Sequence, residues 1–536
     1  MPNDGFKESS LPRWLPVLAV LIAAGYLGAE AWLLGGRLGF PLDDSWIHLQ
    51  FARSLAAGHG LAYNPGEIVT GSTAPLWTAL LALLFPLPGN VVLWIKLAGI
   101  VAFVALAAAT WWLGRELDLP RGLAGLAAIL VVGTYWLVWA ALSGMEVVLF
   151  TALSLAAMAL HVRERRDPKR APLSLAAFAV AILLRPEGML LLLLAVVDRS
   201  LRLRRDGGGL RLVRPDLRSL ALGLLAAALA VLPTLAFYWA HGGSPLPTTF
   251  GAKAGDVRRL APDLQYVYLV VGILFRPQPW MTLLAGAGGL ALLARLGGAR
   301  DRGLLPVLWA AALPVAYSML APQGKHLLVG NFGRYYFPLF PPVVLLGCLG
   351  LEEVVERFAG GWRMGRWRIP VRSLAFALLL LPTFATLVGG GVFYANNVAN
   401  VQDGDVKMAA WLERHVPPDA VIAVQDIGAM KFFLPNRVLD LAGIVTPEIQ
   451  RYIREAITPE DRFGQAGMLR FLHDRRPDYL VAFPAWYPAL VRDAGLREVY
   501  RLHVPDNITL AGDDLVVYAT PWTRFPLRPD MEASPR

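Results

Sequence analysis

Asp43 and Asp44 stand side by side just past the first long apolar stretch, Leu15–Leu34, whose one charge is Glu30. Carboxylates at a bilayer edge are costly to place unless water or a partner compensates them, so the pair is a candidate site by default. A carboxylate beside a second carboxylate has its pKa raised toward neutrality. That suits proton abstraction, with one acid as general base and the other orienting it or the acceptor. The competing explanation is a helix N-cap, where aspartate is favoured next to the positive end of the dipole. The stretch Asp43 to Arg53 is amphipathic and helix-compatible, able to lie along a membrane surface and hold the acids at a cavity mouth.

The elements that must position these acids are read from composition. Of 536 residues, 56% are hydrophobic, against about 45–50% in soluble domains. Long Leu/Ala/Val runs recur up to residue 392, the pattern of a polytopic α-helical membrane protein. The net charge of +10 is concentrated in short loops between those runs, as the positive-inside bias requires, and not on a nucleic-acid-binding face. The single cysteine, Cys348, excludes an intrachain disulfide or thiolate metal cluster. The first apolar run has no clear cleavage site and is expected to stay as an anchor. No nucleotide-binding Gly-rich loop, His-Glu-x-x-His or esterase triad is present. His48 and His59 do not make a metal pair, so no metal ligand is assigned.

The arginine-rich loops 161–170, 198–218 and 352–372 are expected to face the cytoplasm, with Arg115–Arg121 and Arg295–Arg302 beside them. Eleven spans then follow: 15–35, 91–113, 122–141, 145–161, 172–184, 188–198, 219–240, 279–295, 304–320, 336–351 and 373–392. The N-terminus falls inside, residues 36–90 form a long first external loop, and the C-terminal domain falls outside. Thr73–Leu87 and Tyr266–Phe275 are expected to be re-entrant or surface helices. The short runs 172–184 and 188–198 are broken by Arg185-Pro186-Glu187-Gly188, and broken helices are tolerated in a bilayer where they line a cavity.

Further motifs lie on the expected external side. The first loop continues as Gly58-His59-Gly60 to Asn64-Pro65-Gly66-Glu67, then Thr70-Gly71-Ser72-Thr73-Ala74-Pro75, a series of tight turns. Glu146 follows Ser143-Gly144-Met145 in an apolar setting, where a buried, paired carboxylate is the plain alternative to a role at a site. Arg185 and Glu187 read equally as an ion pair closing the helix break. Lys253 ends Pro245-Leu246-Pro247-Thr248-Thr249-Phe250-Gly251-Ala252-Lys253. Lys325-His326 precedes Gly333-Arg334-Tyr335-Tyr336-Phe337-Pro338. Lysine suits phosphate as a compact charge and arginine holds it bidentately, although Lys253 also reads as an ordinary loop lysine and Arg334 as a snorkelling side chain.

Taken in order, "PLDDSWIHLQFARSLAAGHGLAYNPGE", "GSTAPLWTALLALL" and these later segments resemble the GT-C superfamily of membrane glycosyltransferases, over residues 14–400. The resemblance is to the branch of mycobacterial arabinofuranosyltransferases, and more distantly to protein O-mannosyltransferases and lipid A aminoarabinose transferases. It implies a polyprenyl-phosphate-linked sugar donor and an acidic catalytic residue at Asp43 or Asp44. It further implies donor or phosphate contacts from Lys253, Arg334, Arg185, Glu146, Glu187 and His326. Trp46 stands where many relatives carry tyrosine or another residue. The acceptor would be a glycan, lipid or protein hydroxyl. A divalent metal is compatible with this chemistry, though no motif calls for one. A lipid-linked sugar flippase and a non-catalytic glycan-binding membrane protein are the competing readings.

Beyond Phe393 the chain changes character. An amphipathic helix is expected over Asp403–Val416, strands at Val421–Val424, Val438–Leu441, Tyr479–Phe483 and Leu515–Ala519, and a helix opened by Thr446 as cap with Pro447 in its first turn. This predicts an extracytoplasmic α/β domain over 393–536 after a transmembrane catalytic domain over 1–392, in the plasma (inner) membrane. Asp426 and Asp440 lie at strand ends, where ligands bind in such folds, yet turn-forming aspartate also accounts for them. Trp486 and Tyr487 can stack on sugar or pack a core.

Overall fold

The computed structural model describes residues 11–528, apart from 168–169, 207–208, 214–215, 250–260, 321–332, 359–370 and positions 459, 462 and 494. The apolar runs fold as helices: α1 (Trp14–Leu33), α2 (Asp43–Ala56), α3 (Pro75–Ala82), α4 (Val91–Glu116), α5 (Arg121–Gly133), α6 (Tyr135–Leu142), α7 (Val147–Arg166), α8 (Leu173–Ile182) and α9 (Gly188–Ser200). After the strands β1 (Arg202–Asp206) and β2 (Gly209–Val213) come α10 (Leu217–Gly242), α11 (Leu264–Phe275), α12 (Pro279–Ala294), α13 (Leu305–Leu320), α14 (Phe340–Phe358) and α15 (Val371–Val401). A π-turn, Gln402–Val406, leads into α16 (Lys407–His415), β3 (Ile422–Val424), α17 (Gly428–Phe433), β4 (Val438–Asp440), α18 (Ile449–Ala456), α19 (Gln465–Arg475), β5 (Tyr479–Ala482), α20 (Pro488–Asp493), β6 (Arg497–His503) and β7 (Asp514–Ala519).

Helix falls on each apolar run expected to cross the membrane. Among the described residues, five helical stretches are long and apolar enough to do so alone: α1, α4, α7, α10 and Arg334–Arg357. Two bent pairs, α5 with α6 at 59° and α11 with α12 at 116°, raise the number to 7 if each is one span. The protein is a multi-pass membrane protein. The segment expected to be re-entrant near residue 80 is the eight-residue helix α3, begun by Pro75.

Contacts divide the chain into two compact units. The first comprises Met1–Ala29, Lys96–Thr234 and Gly255–Val392. Its helices α12 and α14 pack closely because glycine faces backbone: a Cβ at Gly288 would collide with the Leu346 carbonyl, and one at Gly350 with that of Leu284. Ion pairs join the described residues of this unit's basic loops. Glu116 pairs with Arg163 and Arg166, each at 3.0 Å. Asp118 pairs with Arg302 at 2.7 Å, Arg165 with both Asp198 and Asp301 at 3.3 Å, and Arg199 with Glu164 at 2.6 Å. Arg295 reaches Glu353 at 3.0 Å. The described parts of the segments expected on one side of the membrane are thereby tied to one another. The loop 198–218 also holds the antiparallel hairpin β1–β2, which its charge pattern concealed.

The second unit comprises Glu30–Ile95, Leu235–Ala254 and Phe393–Arg536, and its sheet shares a core with Phe51 and Tyr63 of the loop 36–90. The sheet order is β4-β3-β5-β7-β6. The β3 strand pairs in parallel with β4 and β5, while β7 runs antiparallel to β5 and β6. Period-2 alternation sorts its side chains. Ile422, Val424, Val481 and Val517 face a cluster with Met408, Leu412, Phe51 and Tyr63. Ala423, Leu480, Ala482 and Val516 face Met468, Phe471 and Leu472. The edge strand β4 is covered by Asn64, whose side-chain amide donates to the Val438 carbonyl and accepts from its N–H, both at 3.0 Å.

Two expectations are corrected. Thr446 is not the cap of α18; Glu448 is, because Pro447 and Glu448 form a turn and the Thr446 hydroxyl accepts the Asp440 N–H at 3.0 Å. Nor is α2 a surface helix: it buries Ser45, Trp46, His48, Leu49, Gln50, Phe51 and Ala52.

Candidate active site

The acids open α2. Leu42, not an aspartate, is its N-cap, and Asp43 and Asp44 occupy the first turn, where the helix dipole favours them. The helix is held by its own sequence. Trp46 is buried against Phe40, Phe432 and Phe433, with ring centroids 5.0 to 5.2 Å apart, so it packs the core and is not offered to a ligand. Arg53 donates to the Phe432 carbonyl at 2.7 Å and lies over the Phe432 ring at 4.6 Å. Tyr63 donates to the Ile427 carbonyl at 2.8 Å, and Gln50 to the Tyr63 carbonyl at 2.9 Å. These contacts pin α2 to α17.

Asp43 completes the junction. Its carboxylate accepts the N–H of Gly428 at 2.6 Å and of Ala429 at 2.7 Å, one on each oxygen. Burial pushes its pKa up to about 7 against the lowering effect of those two N–H groups, and Asp44 and Asp440 raise it further. The group therefore exchanges protons near neutrality with its plane fixed, as a general base requires. Gly428 is the residue that permits this approach, since a Cβ there would strike the main-chain oxygen and Oδ1 of Asp43. Gly428→Ala is expected to destabilise the chain by about 1–3 kcal/mol, measured as a drop in thermal unfolding temperature. An unchanged temperature would mean that the junction is loose.

Two more acids join the pair. Asp426, half-buried at the end of β3, has its pKa raised well above the carboxylate range by burial and then by Asp43, Asp44 and Asp440. Asp405, on the π-turn, is wholly buried with no hydrogen-bond partner on either oxygen among the described residues. Burial, Asp426 and Asp43 hold it protonated well above the usual range. Sequence reasoning passed over Asp405. The available signal was Asp403-Gly404-Asp405, a second acid pair just past a membrane-length helix. Asp440 serves the backbone instead. Its oxygens accept the N–H groups of Ala442, Ile444 and Val445 at 2.5 to 2.9 Å, the turn-forming role. Its pKa rises only to about 6, because those bonds oppose burial. Among the described residues, no three of His, Cys, Asp and Glu are arranged to hold a metal ion.

The Pro-Leu-Pro-Thr-Thr segment is bound to the first loop. Thr248 donates its N–H to the Thr70 carbonyl at 3.1 Å, and Thr249 its hydroxyl to that of Gly71 at 2.5 Å. Lys253, which ends that motif, and His326 lie outside the described residues. Tyr487 is buried in the core, while Trp486 is 40% exposed with its ring centroid 5.9 Å from that of Phe463.

In the first unit the remaining candidates meet. Arg185 is buried between two carboxylates, with Glu146 at 2.7 Å and Glu187 at 2.5 Å. The Tyr317 hydroxyl donates to Glu187 at 2.5 Å. Both Arg185 and the buried Arg334 lie over the Tyr335 ring, at 5.3 and 5.5 Å. Glu146, the Arg185–Glu187 pair and Arg334, from three distant stretches of the chain, thus form one cluster whose formal charges balance.

Solved structures share this architecture. ArnT from Cupriavidus metallidurans, bound to undecaprenyl phosphate, is 15% identical over 93% of this chain and 97% of its own, with a TM-score of 0.55. The Archaeoglobus fulgidus oligosaccharyltransferase, tethered to an acceptor peptide containing the NVT sequon, is 13% identical over 95% of this chain and 74% of its own, with a TM-score of 0.50. The chain shares the fold of these two solved proteins. Arabinofuranosyltransferase AftD from Mycobacteria is 17% identical over 96% of this chain and 40% of its own, with a TM-score of 0.48. Residues 394–522 match a family described as a domain of unknown function, DUF8728. No curated protein matches by sequence.

Proposed function

We propose that the protein is an integral membrane glycosyltransferase that moves a hexosyl or pentosyl group from a polyprenyl-phosphate-linked donor to an extracytoplasmic hydroxyl on a glycan, lipid or protein. The observation that carries this reading is Asp43, oriented by two N–H groups with a pKa near neutrality, on a fold shared almost end to end with ArnT. Asp43 takes the proton of the acceptor hydroxyl as its oxygen attacks the anomeric carbon. The bond from that carbon to the phosphate oxygen breaks, and its electron pair leaves with polyprenyl phosphate. A single displacement inverts the anomeric centre. Asp44 tunes Asp43.

The leaving group is already an anion and calls for cations more than for a proton. Arg334 is assigned to it, with Lys253 and His326 carried from the sequence motifs. Arg185, neutralised by Glu146 and Glu187, positions the cluster. The ion pairs among the basic loops support a cytoplasmic N-terminus, an extracytoplasmic 393–536 domain and eleven spans in the plasma membrane. That domain would grip the acceptor.

The test is a transfer assay on the purified chain in proteoliposomes with a panel of polyprenyl-phosphate hexoses and pentoses. Transfer of one of them, with the anomeric configuration inverted in the product, is expected. Movement of labelled lipid-sugar across the bilayer without transfer would instead make the protein a flippase.

A further inference from the structure

The basic ends of α4 and α7 enclose a groove of about 620 Å³ that the transfer reaction does not use. Its walls are low because alanine stands where bulkier side chains would fill it: Ala108 and Ala109 on α4, Ala152 and Ala156 on α7. Both helices are of membrane length, so an apolar channel between them lies where acyl chains are the solvent. From Leu149 to Arg163 the wall runs about 21 Å at 1.5 Å per residue, enough for one leaflet's share of a hydrocarbon core about 30 Å thick.

One end is polar. Arg115 and Arg163 line it together with Glu116. Arg163 is paired with Glu116 at 3.0 Å and lies over the Trp112 ring at 5.7 Å. Trp111 and Arg115 both line the groove, and the Nε1 of the one and the Nε of the other are buried with no acceptor among the described residues. Orphaned buried donors are rare and call for a partner. An apolar slot, two guanidiniums and two unused donors at one end make a complementary seat for a chain ending in phosphate and ester oxygens.

This is not the donor's phosphate cluster. Glu146, which meets Arg185, caps the opposite end of α7, about 26 Å along the helix from Arg163 at 1.5 Å per residue. Nor does the start of this chain suit the groove. Leu11 touches it, but the ten residues before Leu11, Met-Pro-Asn-Asp-Gly-Phe-Lys-Glu-Ser-Ser, are mostly polar.

We infer that the groove between α4 and α7 binds a membrane phospholipid of anionic headgroup, its acyl chain along the alanines and its phosphate at Arg115 and Arg163.

Native mass spectrometry of the full chain, released from nanodiscs of phosphatidylglycerol or of phosphatidylcholine, tests this. The wild type is expected to retain one phosphatidylglycerol and no phosphatidylcholine. Ala156→Phe, which fills the slot, should cut retention at least tenfold at unchanged unfolding temperature, with Ala108→Phe as the second variant should the first not fold. Arg115→Gln should remove the headgroup preference. Equal retention of both lipids by the wild type, or wild-type retention in the filled variants, would overturn the assignment. So would a gain in bound lipid on deleting residues 2–10, which would make that segment the occupant.

Discussion

Asp43→Asn is expected to lower the turnover of sugar transfer by about 10²–10⁴-fold, the usual contribution of a positioned general base. The fold should survive: Asn keeps one acceptor for the Gly428 or Ala429 N–H and loses the other, a cost of about 1–3 kcal/mol, followed by thermal unfolding of the same sample. The pH profile separates chemistry from folding. Asp43 works ionised, and its pKa stands near 7, so turnover should fall as pH drops through 7 with the slope of one proton. Asp44 raises that pKa, so Asp44→Asn should shift this limb to lower pH while keeping most of the plateau. Stability runs the other way. Asp43 and Asp440 have folded pKa values of about 7 and 6 against an ordinary aspartate value of 3.8. The folded chain therefore binds more protons between about pH 4 and 7 and loses stability as pH rises through that window. A plateau in Asp43→Asn equal to wild type would remove Asp43 from the chemistry.

Arg185→Met should have the largest effect on stability, about 3–5 kcal/mol, because it leaves the buried carboxylates of Glu146 and Glu187 without their shared cation. Replacing all three together, Arg185→Met with Glu146→Gln and Glu187→Gln, should recover most of the loss, since uncharged side chains of similar size carry no such penalty. Thermal unfolding of the single and triple variants reads this directly. If the triple variant stays as unstable as the single one, the cluster is not held by charge. If it regains stability and transfers at a wild-type rate, Arg185 has no part in holding the donor. Arg334→Met should then raise the donor KM where Arg185→Met in the triple background does not.

The two clusters differ in how openly the chain announced them. Asp43 and Asp44 were legible because adjacent acids past an apolar run conflict with their local setting. Asp426 was legible only as a strand-end aspartate with a turn role as its ordinary explanation, and Asp405, read as a helix residue, was not legible at all. Their importance comes from sharing one low-dielectric place with Asp43, which no spacing records. Trp46 stands beside the acids in the chain, yet the aromatic pair Phe432–Phe433, more than 380 residues later, claims it.

Hydropathy and arginine placement were enough to determine the membrane class, the helices and the loops that ion pairs join, because burying apolar length and keeping charge near water are demands each segment meets alone. So was the α/β character of the C-terminal residues, through short apolar runs that fold as strands buried on both faces of the sheet. Only the tertiary structure decided that the first loop and the sheet share a core, that Gly428 and Ala429 hold the Asp43 carboxylate, and that Arg185 is neutralised by two glutamates. A hydrogen bond or ion pair between residues 39 or 385 positions apart depends on distance and desolvation in space, and neither has a local signature in the chain.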